Sequence, residues 1–129
     1  MLKEWKATEK PEEEELKKRL TAAREKLARQ QMLIKEKKVP VLVLMEGWGT
    51  AGKGSCIGEI IQNIDPRFFK VESMEKKSEE EERRPFLYRY FAKIPEAGKF
   101  VFLDSGWMGE TVGDYLRGEL KESEYTRRI

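Results

Sequence analysis

The fold is decided by residues 39–55, which read VPVLVLMEGWGTAGKGS. Residues 39–45 form a short apolar run that contains β-branched valines, which is typical of a strand buried on both faces of a parallel sheet. A glycine-rich segment follows at once, and residues 56–64 then carry isoleucines at helical spacing. The order of strand, glycine-rich loop and helix predicts an α/β fold.

The loop carries a phosphate-binding motif. Residues 47–53, GWGTAGK, match the pattern G-x-x-x-x-G-K, whose glycines let backbone N–H groups curl around phosphate oxygens while the next helix adds its positive end. We expect the lysine to bridge neighbouring phosphates as a point charge; a plain glycine-rich turn is the alternative. The predicted phosphate-binding residues of the loop are Gly47, Gly49, Thr50, Ala51, Gly52, Lys53, Gly54 and Ser55.

A carboxylate at the end of a second apolar run is the expected partner of this loop. Residues 100–104, FVFLD, predict a strand that ends on Asp104, where P-loop enzymes carry an aspartate that holds Mg²⁺. Taken alone, Asp104 is equally well explained as a helix N-cap or a turn residue. Gly54 lies where a serine or threonine normally ligates Mg²⁺, and Ser55 comes one position late. We predict Lys53 and Asp104 as catalytic residues and Asp104 as a metal ligand, with further ligand oxygens from elsewhere.

The remaining patterns predict a layered fold. Residues 11–38 indicate one long helix with a narrow apolar stripe, which can pack on the body of the domain or on another chain. We further predict a strand over residues 68–74, a helix over 79–93 that Pro85 can interrupt, a turn over 95–98 and a helix over 111–120. This order predicts a P-loop kinase-like three-layer α/β/α fold with a parallel sheet, preceded by a long N-terminal helix.

The expected domain organisation is simple. We expect a helical extension over residues 1–38 and a P-loop kinase-like domain over residues 39–129. Because three candidate strands are few for such a core, we expect this domain to be truncated at its C-terminus.

Composition excludes several classes of function. The 129 residues include 26 Lys and Arg against 24 Asp and Glu, a near balance that argues against a nucleic-acid binder. With no histidine and one cysteine, the chain cannot form the usual zinc sites, Ser-His or Cys-His nucleophile systems, or an internal disulfide. No apolar stretch approaches the ~20 residues that span a bilayer, and the N-terminal residues lack an apolar signal core. We therefore expect no membrane partner and a cytoplasmic location.

Several single residues carry further predictions. We favour Arg89 for ligand contact because aromatic residues flank it, although Arg83, Arg84, Arg89 and Lys93 could instead form a solvated helix face paired with nearby glutamates. Ordinary loop lysines are the preferred interpretation of Lys76 and Lys77. The predicted packing residues are Trp48, Trp107 and Cys56, with Phe86, Leu87, Tyr90 and Phe91 as the buried face of the 79–93 helix.

Several motifs of the sequence, in the same order, resemble those of the polyphosphate kinase 2 family. Residues 46–55, EGWGTAGKGS, resemble the family's loop E-G-x-D-A-A-G-K-G-G, in which glycine follows the lysine. Residues 65–67 (DPR), 84–91 (RPFLYRYF) and 95–99 (PEAGK) resemble its N-P-R, its aromatic-arginine helix and its P-x-x-G turn. The likeness runs from about residue 12 to about residue 120. It implies phosphoryl transfer between inorganic polyphosphate and nucleotides, with Mg²⁺ as cofactor.

The chain also departs from the family's pattern. Gly49 replaces the loop aspartate, which the resemblance implies helps to organise metal and phosphates. Residues 103–110, LDSGWMGE, correspond to the family's F-D-R-S-W-Y-G-R and have Ser105 and Glu110 in place of two arginines. Such arginines neutralise charge on the transferring phosphoryl group. This combination resembles the degenerate first domain of the tandem-domain polyphosphate:AMP phosphotransferases.

The resemblance sets the functional expectation. In the parent protein, polyphosphate would phosphorylate AMP to ADP, while this domain would have low or no activity by itself. The expected partners are inorganic polyphosphate, an adenine nucleotide, and either further copies of the chain or a tandem sister domain. The alternatives are a non-catalytic scaffold or polyanion-binding module that supports an active sister domain, and an ATP-dependent nucleoside monophosphate kinase.

Overall fold

The structure is a computed structural model and describes residues 11–74 and 76–129. The predicted 1–38 extension is therefore covered from residue 11 onward, and its first ten residues lie outside the described residues. Along the chain the elements are α1 (Glu13–Glu36), β1 (Val41–Met45), α2 (Lys53–Ile61), a 3₁₀ helix (Pro66–Phe68), β2 (Phe69–Ser73), α3 (Glu79–Glu82), α4 (Tyr88–Phe91), β3 (Phe100–Asp104), α5 (Trp107–Leu116) and α6 (Glu122–Arg128). None of the helices in the described ranges has the length and apolarity to cross a membrane.

The three strands form a parallel sheet in the order β1-β3-β2. Because β3 is central, its last residue, Asp104, pairs in register with Met45 of β1 and with Ser73 of β2. The segments that leave the three strands therefore share one edge of the sheet. In open α/β folds this carboxyl edge is where ligands bind.

Alternate residues of β3 pack on opposite faces of the sheet, which gives the molecule three layers. Phe100 and Phe102 join Ile57 and Ile64 in a core on the side of α1 and α2. Val101 and Leu103 join Tyr90 in a second core on the side of α4 and α5. The predicted three-layer α/β/α architecture with a parallel sheet is confirmed.

Only the C-terminal half of the long helix α1 packs against the rest of the domain. In its C-terminal half, Leu27 and Ile34 pack against the first core, and the buried Gln31 exchanges hydrogen bonds of 2.8 and 3.1 Å with the backbone of Asp65. In its N-terminal half, Leu16 and Leu20 are exposed. The predicted apolar stripe thus packs on the domain along half of its length.

The helix after the glycine-rich loop differs from its prediction at both ends. It begins at Lys53 and ends at Ile61, whereas the apolar spacing predicted residues 56–64. Ile57 faces the sheet and is buried, but Cys56, one position earlier, is turned about 100° around the helix axis and is exposed. The prediction that Cys56 faces the core was wrong for this reason.

The predicted 79–93 helix is two short helices, separated at Pro85 as its missing N–H and fixed φ predict. Ser78 opens α3 with a reciprocal capping box to Glu81. Of the predicted buried face, Tyr90 is 3% exposed and Phe86 is half-buried. Leu87 and Phe91 are exposed, so the prediction was wrong for them, because one turn of helix cannot turn all four side chains inward.

The last predicted helix is displaced toward the N-terminus, and a further helix follows it. The structure has α5 over Trp107–Leu116 where residues 111–120 were predicted. Gly118, with φ of +76°, lies just beyond its end, where a left-handed residue commonly terminates a helix. α6 then packs back on α5, with Tyr115 and Tyr125 stacked at 4.4 Å between ring centroids.

Candidate functional site

The glycine-rich loop leaves β1 at the carboxyl edge of the sheet and leads into α2. Gly47 and Gly52 have φ values of +154° and +82°, in the left-handed region that side chains rarely adopt, so the path of the loop depends on glycine at both positions. A turn is closed inside the loop by a 3.0 Å hydrogen bond from Ala51 N to Trp48 O. Trp48 is 74% exposed, so its predicted packing role was wrong.

Lys53 is held over this loop. Its ammonium donates to Gly47 O at 3.1 Å and to Trp48 O at 3.2 Å. The same residue is the first of α2, whose N-cap Gly52 offers no side-chain acceptor and whose first turn has no acidic residue. A positive charge and the uncapped N–H groups of a helix therefore lie together, an arrangement that favours an anion.

Asp104 lies against the first turn of α2. A Cβ on Gly54 would be 3.8 Å from Asp104 Oδ2, and Asp104 Oδ1 is buried and accepts no hydrogen bond from the described residues. The helix that follows begins after Gly106, so Asp104 is not its N-cap. A buried carboxylate oxygen without a partner is destabilising unless a cation or water satisfies it.

Asp104 Oδ1, which has no partner among the described residues, suits a magnesium ion that also binds water and substrate better than a metal whose ligands all come from the protein. Among residues 11–74 and 76–129, no cluster of three or more His, Cys, Asp or Glu side chains could hold a metal. Mg²⁺ commonly binds through one or two carboxylates and completes its shell with water and substrate phosphates. Asp104, beside the glycine-rich loop, offers one such carboxylate.

Comparison with known proteins agrees with this geometry. The family model for polyphosphate kinase 2 (PPK2) matches residues 10–129. The chain belongs to the polyphosphate kinase 2 family.

Individual relatives are similar over only part of their length. A polyphosphate:AMP phosphotransferase of Pseudomonas syringae pv. tomato is 30% identical over 67% of this chain and 18% of its own length. A GDP-polyphosphate phosphotransferase of Pseudomonas aeruginosa is 31% identical over 77% of this chain and 28% of its own. The crystal structure of polyphosphate kinase 2 from Arthrobacter aurescens has a TM-score of 0.76 at 26% identity, covering 84% of this chain and 40% of that one. The chain thus spans less than half the length of each of these relatives.

The positions where this polyphosphate kinase 2 chain departs from the family's pattern have distinct surroundings. A Cβ added at Gly49 would meet no atom within 4 Å, so the loop has room for a side chain there. Ser105 has a φ of +93°, a conformation that is strained for any residue except glycine. Neither position contributes a charge to the site.

Glu110, in the first turn of α5, forms a largely buried ionic cluster instead. Its carboxylate contacts Lys77 Nζ, lies 3.8 Å from Arg89 Nη1 and accepts a hydrogen bond from the Tyr90 hydroxyl. Arg89 Nε also lies 3.6 Å from Glu81, and the Arg89 side chain is 7% exposed. Burial raises the pKa of Tyr90 well above its ordinary value, and the hydrogen bond to Glu110 raises it further.

The structure thus brings together part of the predicted set. Gly54, next to Lys53 at the start of α2, lies beside Asp104 at the sheet edge, while Thr50, Ala51 and Ser55 lie in the exposed part of the loop and helix start. Arg89 is ion-paired inside the protein, and its predicted ligand contact stays a prediction. Trp107 packs edge-to-face on Tyr90, with 5.8 Å between ring centroids, as a packing residue should.

Sequence reasoning missed Glu46. Its carboxylate accepts hydrogen bonds from Met108 N at 3.2 Å and Gly109 N at 3.1 Å, so it caps α5 from the end of β1. A Cβ on Gly106 would overlap Glu46 Oε1, so this contact depends on glycine at position 106. The sequence did carry one signal for this contact. Glu46 directly follows β1, and the end of β1 must lie beside the end of β3, just before α5, in a parallel sheet.

Proposed function

We propose that this chain is the phosphate-binding part of a polyphosphate-dependent nucleotide phosphotransferase. The single observation that carries the proposal is the meeting of the Lys53 ammonium, the uncapped start of α2 and the orphaned Asp104 Oδ1 at one edge of a parallel sheet. The names of its relatives, which describe transfer between polyphosphate and AMP or GDP, support the substrate class.

Each element has a role that follows from its chemistry. The backbone N–H groups of residues 49–54 would cradle phosphate oxygens, and Lys53 would exchange its two carbonyl acceptors for phosphate oxygens and neutralise their charge. Asp104 would hold Mg²⁺ through the oxygen that has no protein partner. When bound, the ion would offset charge on neighbouring phosphate oxygens.

The finer proposal is that the parent protein transfers phosphate from polyphosphate to AMP and that this domain has low or no activity by itself. Catalysis of this transfer depends on positioned positive charge. Here Gly49 supplies no carboxylate and Ser105 no cation, while Glu110 brings a negative charge to the same sheet edge.

The same observations favour a second candidate, a non-catalytic polyanion-binding module that supports an active sister domain in the cytoplasm. The loop, Lys53 and the helix start suffice to bind phosphates, since binding needs no arginine at the transferring group. The two candidates therefore differ in turnover rather than in binding.

Binding tests what both candidates share. Calorimetry with inorganic tripolyphosphate and Mg²⁺ should detect binding to the chain, and Lys53→Ala should weaken it at least tenfold. Lys26→Ala, which removes an exposed lysine of α1, is the matched control and should leave binding unchanged. Equal binding by the chain and by Lys53→Ala would contradict the proposal.

Turnover separates the candidates. Chromatography of nucleotides after incubation with AMP and either polyphosphate or ATP reports whether ADP forms and from which donor. Formation of ADP from polyphosphate that Lys53→Ala abolishes supports an active transferase. Binding without any detectable turnover supports the non-catalytic module, whereas even slow turnover that needs Lys53 supports a transferase domain of low activity.

A further inference from the structure

The ionic cluster of Glu110, Lys77 and Arg89 lies at the edge of the sheet where ligands bind in open α/β folds. Lys77 follows β2 and Glu110 follows β3, so the pair lies at the same carboxyl edge of the sheet as the loop after β1. The side chains are largely buried, with 28% of Lys77, 17% of Glu110 and 7% of Arg89 exposed. Two cations and a carboxylate are thus held at the sheet edge to which the loop after β1 brings its proposed phosphate-binding groups.

A cavity opens beside this cluster. It has a volume of about 210 Å³, and four cationic side chains line it: Lys77, Arg84, Arg89 and Arg128. Arg128 also stacks over the Phe86 ring at 4.1 Å, and Lys77 lies 5.4 Å from the same ring centroid. Glu81 and Glu82 line the cavity as well, so the walls carry both signs.

Glu110 contributes one negative charge to this cluster. Lys77 contacts its carboxylate directly, and Arg89 lies within ion-pair distance both of it and of Glu81, so Glu110 offsets the charge of Lys77 and shares that of Arg89 with Glu81. A polyanion approaching the sheet edge meets Lys77 and Arg89 with this carboxylate already between them. In a partly buried site, one unit charge shifts the affinity for a polyanion by about tenfold.

We propose that Glu110 is an internal counter-anion that occupies a second anion subsite formed by Lys77 and Arg89, and so limits how tightly the sheet edge binds a phosphate chain. The inference rests on the proposed function, since it assumes that the ligand is a chain of phosphates. It assigns Glu110 to affinity and specificity rather than to chemistry. The subsite would take one phosphate group of a chain whose other groups lie on the Lys53 loop.

Replacing Glu110 by its uncharged isostere tests this. Calorimetry with inorganic tripolyphosphate should show about tenfold tighter binding by Glu110→Gln than by the unchanged chain, with a steeper loss of affinity as salt is added. Glu13→Gln is the matched control, because Glu13 lies on α1 and pairs with the exposed Lys17 at 2.7 Å, and it should leave affinity unchanged. Unchanged or weaker binding by folded Glu110→Gln would overturn the inference.

Two further measurements make the outcome decisive. The tightening should disappear in the double variant Glu110→Gln/Lys77→Met, and tightening that persists there would overturn the inference, because Lys77 would not be the group released. If Glu110→Gln is unfolded in low salt, tripolyphosphate should restore its folding because the anion replaces the lost carboxylate; failure to do so overturns the inference. The proposed function fails separately, when Lys53→Ala binds as tightly as the unchanged chain.

Discussion

The contact between Glu46 and the start of α5 makes a quantitative prediction about Gly106. Gly106 has φ of −107° and ψ of −172°, extended backbone that alanine adopts freely, so a substitution tests space alone. In Gly106→Ala the new Cβ overlaps Glu46 Oε1 and lies 3.0 Å from Glu46 Cδ, while its contact with Leu44 Cβ at 3.7 Å is ordinary. The Glu46 carboxylate must therefore leave Met108 N and Gly109 N.

The size of the effect follows from those two bonds. Hydrogen bonds to charged groups contribute about 1.5–3 kcal/mol each when shielded, and water replaces part of this because Glu46 is exposed. Loss of the Glu46 charge at the start of α5 lowers the free energy of unfolding by a further ~0.3–1 kcal/mol. Because alanine restricts the unfolded chain more than glycine does, the substitution also raises the free energy of unfolding by about 0.4–1 kcal/mol. We expect a net loss of about 2 kcal/mol in the free energy of unfolding.

Urea denaturation followed by circular dichroism measures this loss, with an unchanged m-value as the check on two-state behaviour. In a Glu46→Ala background the same Gly106→Ala change should cost nothing, giving a coupling energy of about 2 kcal/mol. Gly58→Ala is the control, since a Cβ there meets no atom within 4 Å and alanine favours the helix. Additive effects of Gly106→Ala and Glu46→Ala would refute the reasoning.

Three further predictions test the loop, the strained serine and the 3₁₀ turn. Gly49→Asp should fold with a stability within about 0.5 kcal/mol of the unchanged chain in thermal melts, because the site has open space; a collapse in stability would show that the loop is closed there. Ser105→Gly should raise the free energy of unfolding by about 1 kcal/mol in urea, by relieving the positive φ, and no gain would mean that the conformation is not strained. Hydrogen bonds from Arg67 lower the pKa of Asp65 from 3.8 to about 2, so its stabilising contribution is present above pH 3.8 and is lost as the pH falls through 2. Asp65→Asn should flatten that part of the acid unfolding curve, and an unchanged curve would contradict the assigned pKa.

The strands and the loop could be predicted from sequence because their signals are local. The apolar run of β3 was placed at Phe100–Asp104 as observed, and that of β1 within two residues. The motif put Lys53 at the start of a helix, and parallel pairing put Asp104 at the same edge. Each of these conclusions needed only the residues in one short segment and the rule that parallel strands end together.

What could not be predicted depends on contacts between distant segments. The family pattern identifies Glu110 only as the loss of an arginine, whereas its contacts with Lys77 and Arg89 join three separate segments of the chain. Glu46 and Gly106 are coupled only because β1 and β3 are neighbours, which no local pattern reports. The exposure of Phe91 follows from how α4 sits on the sheet, since its spacing alone suits a buried face as well as an exposed one.

The central position of β3 has a consequence for how the chain acquires its shape. β1 and β2 pair with β3 and not with each other, although they are made first during synthesis. Neither can complete its backbone hydrogen bonds until residues 100–104 have emerged, so closure of long chain segments must precede the first sheet contact. The geometry of the loop after β1 is therefore acquired late, and a nascent chain that ends before residue 100 has the glycines and the lysine but no sheet to hold them in place.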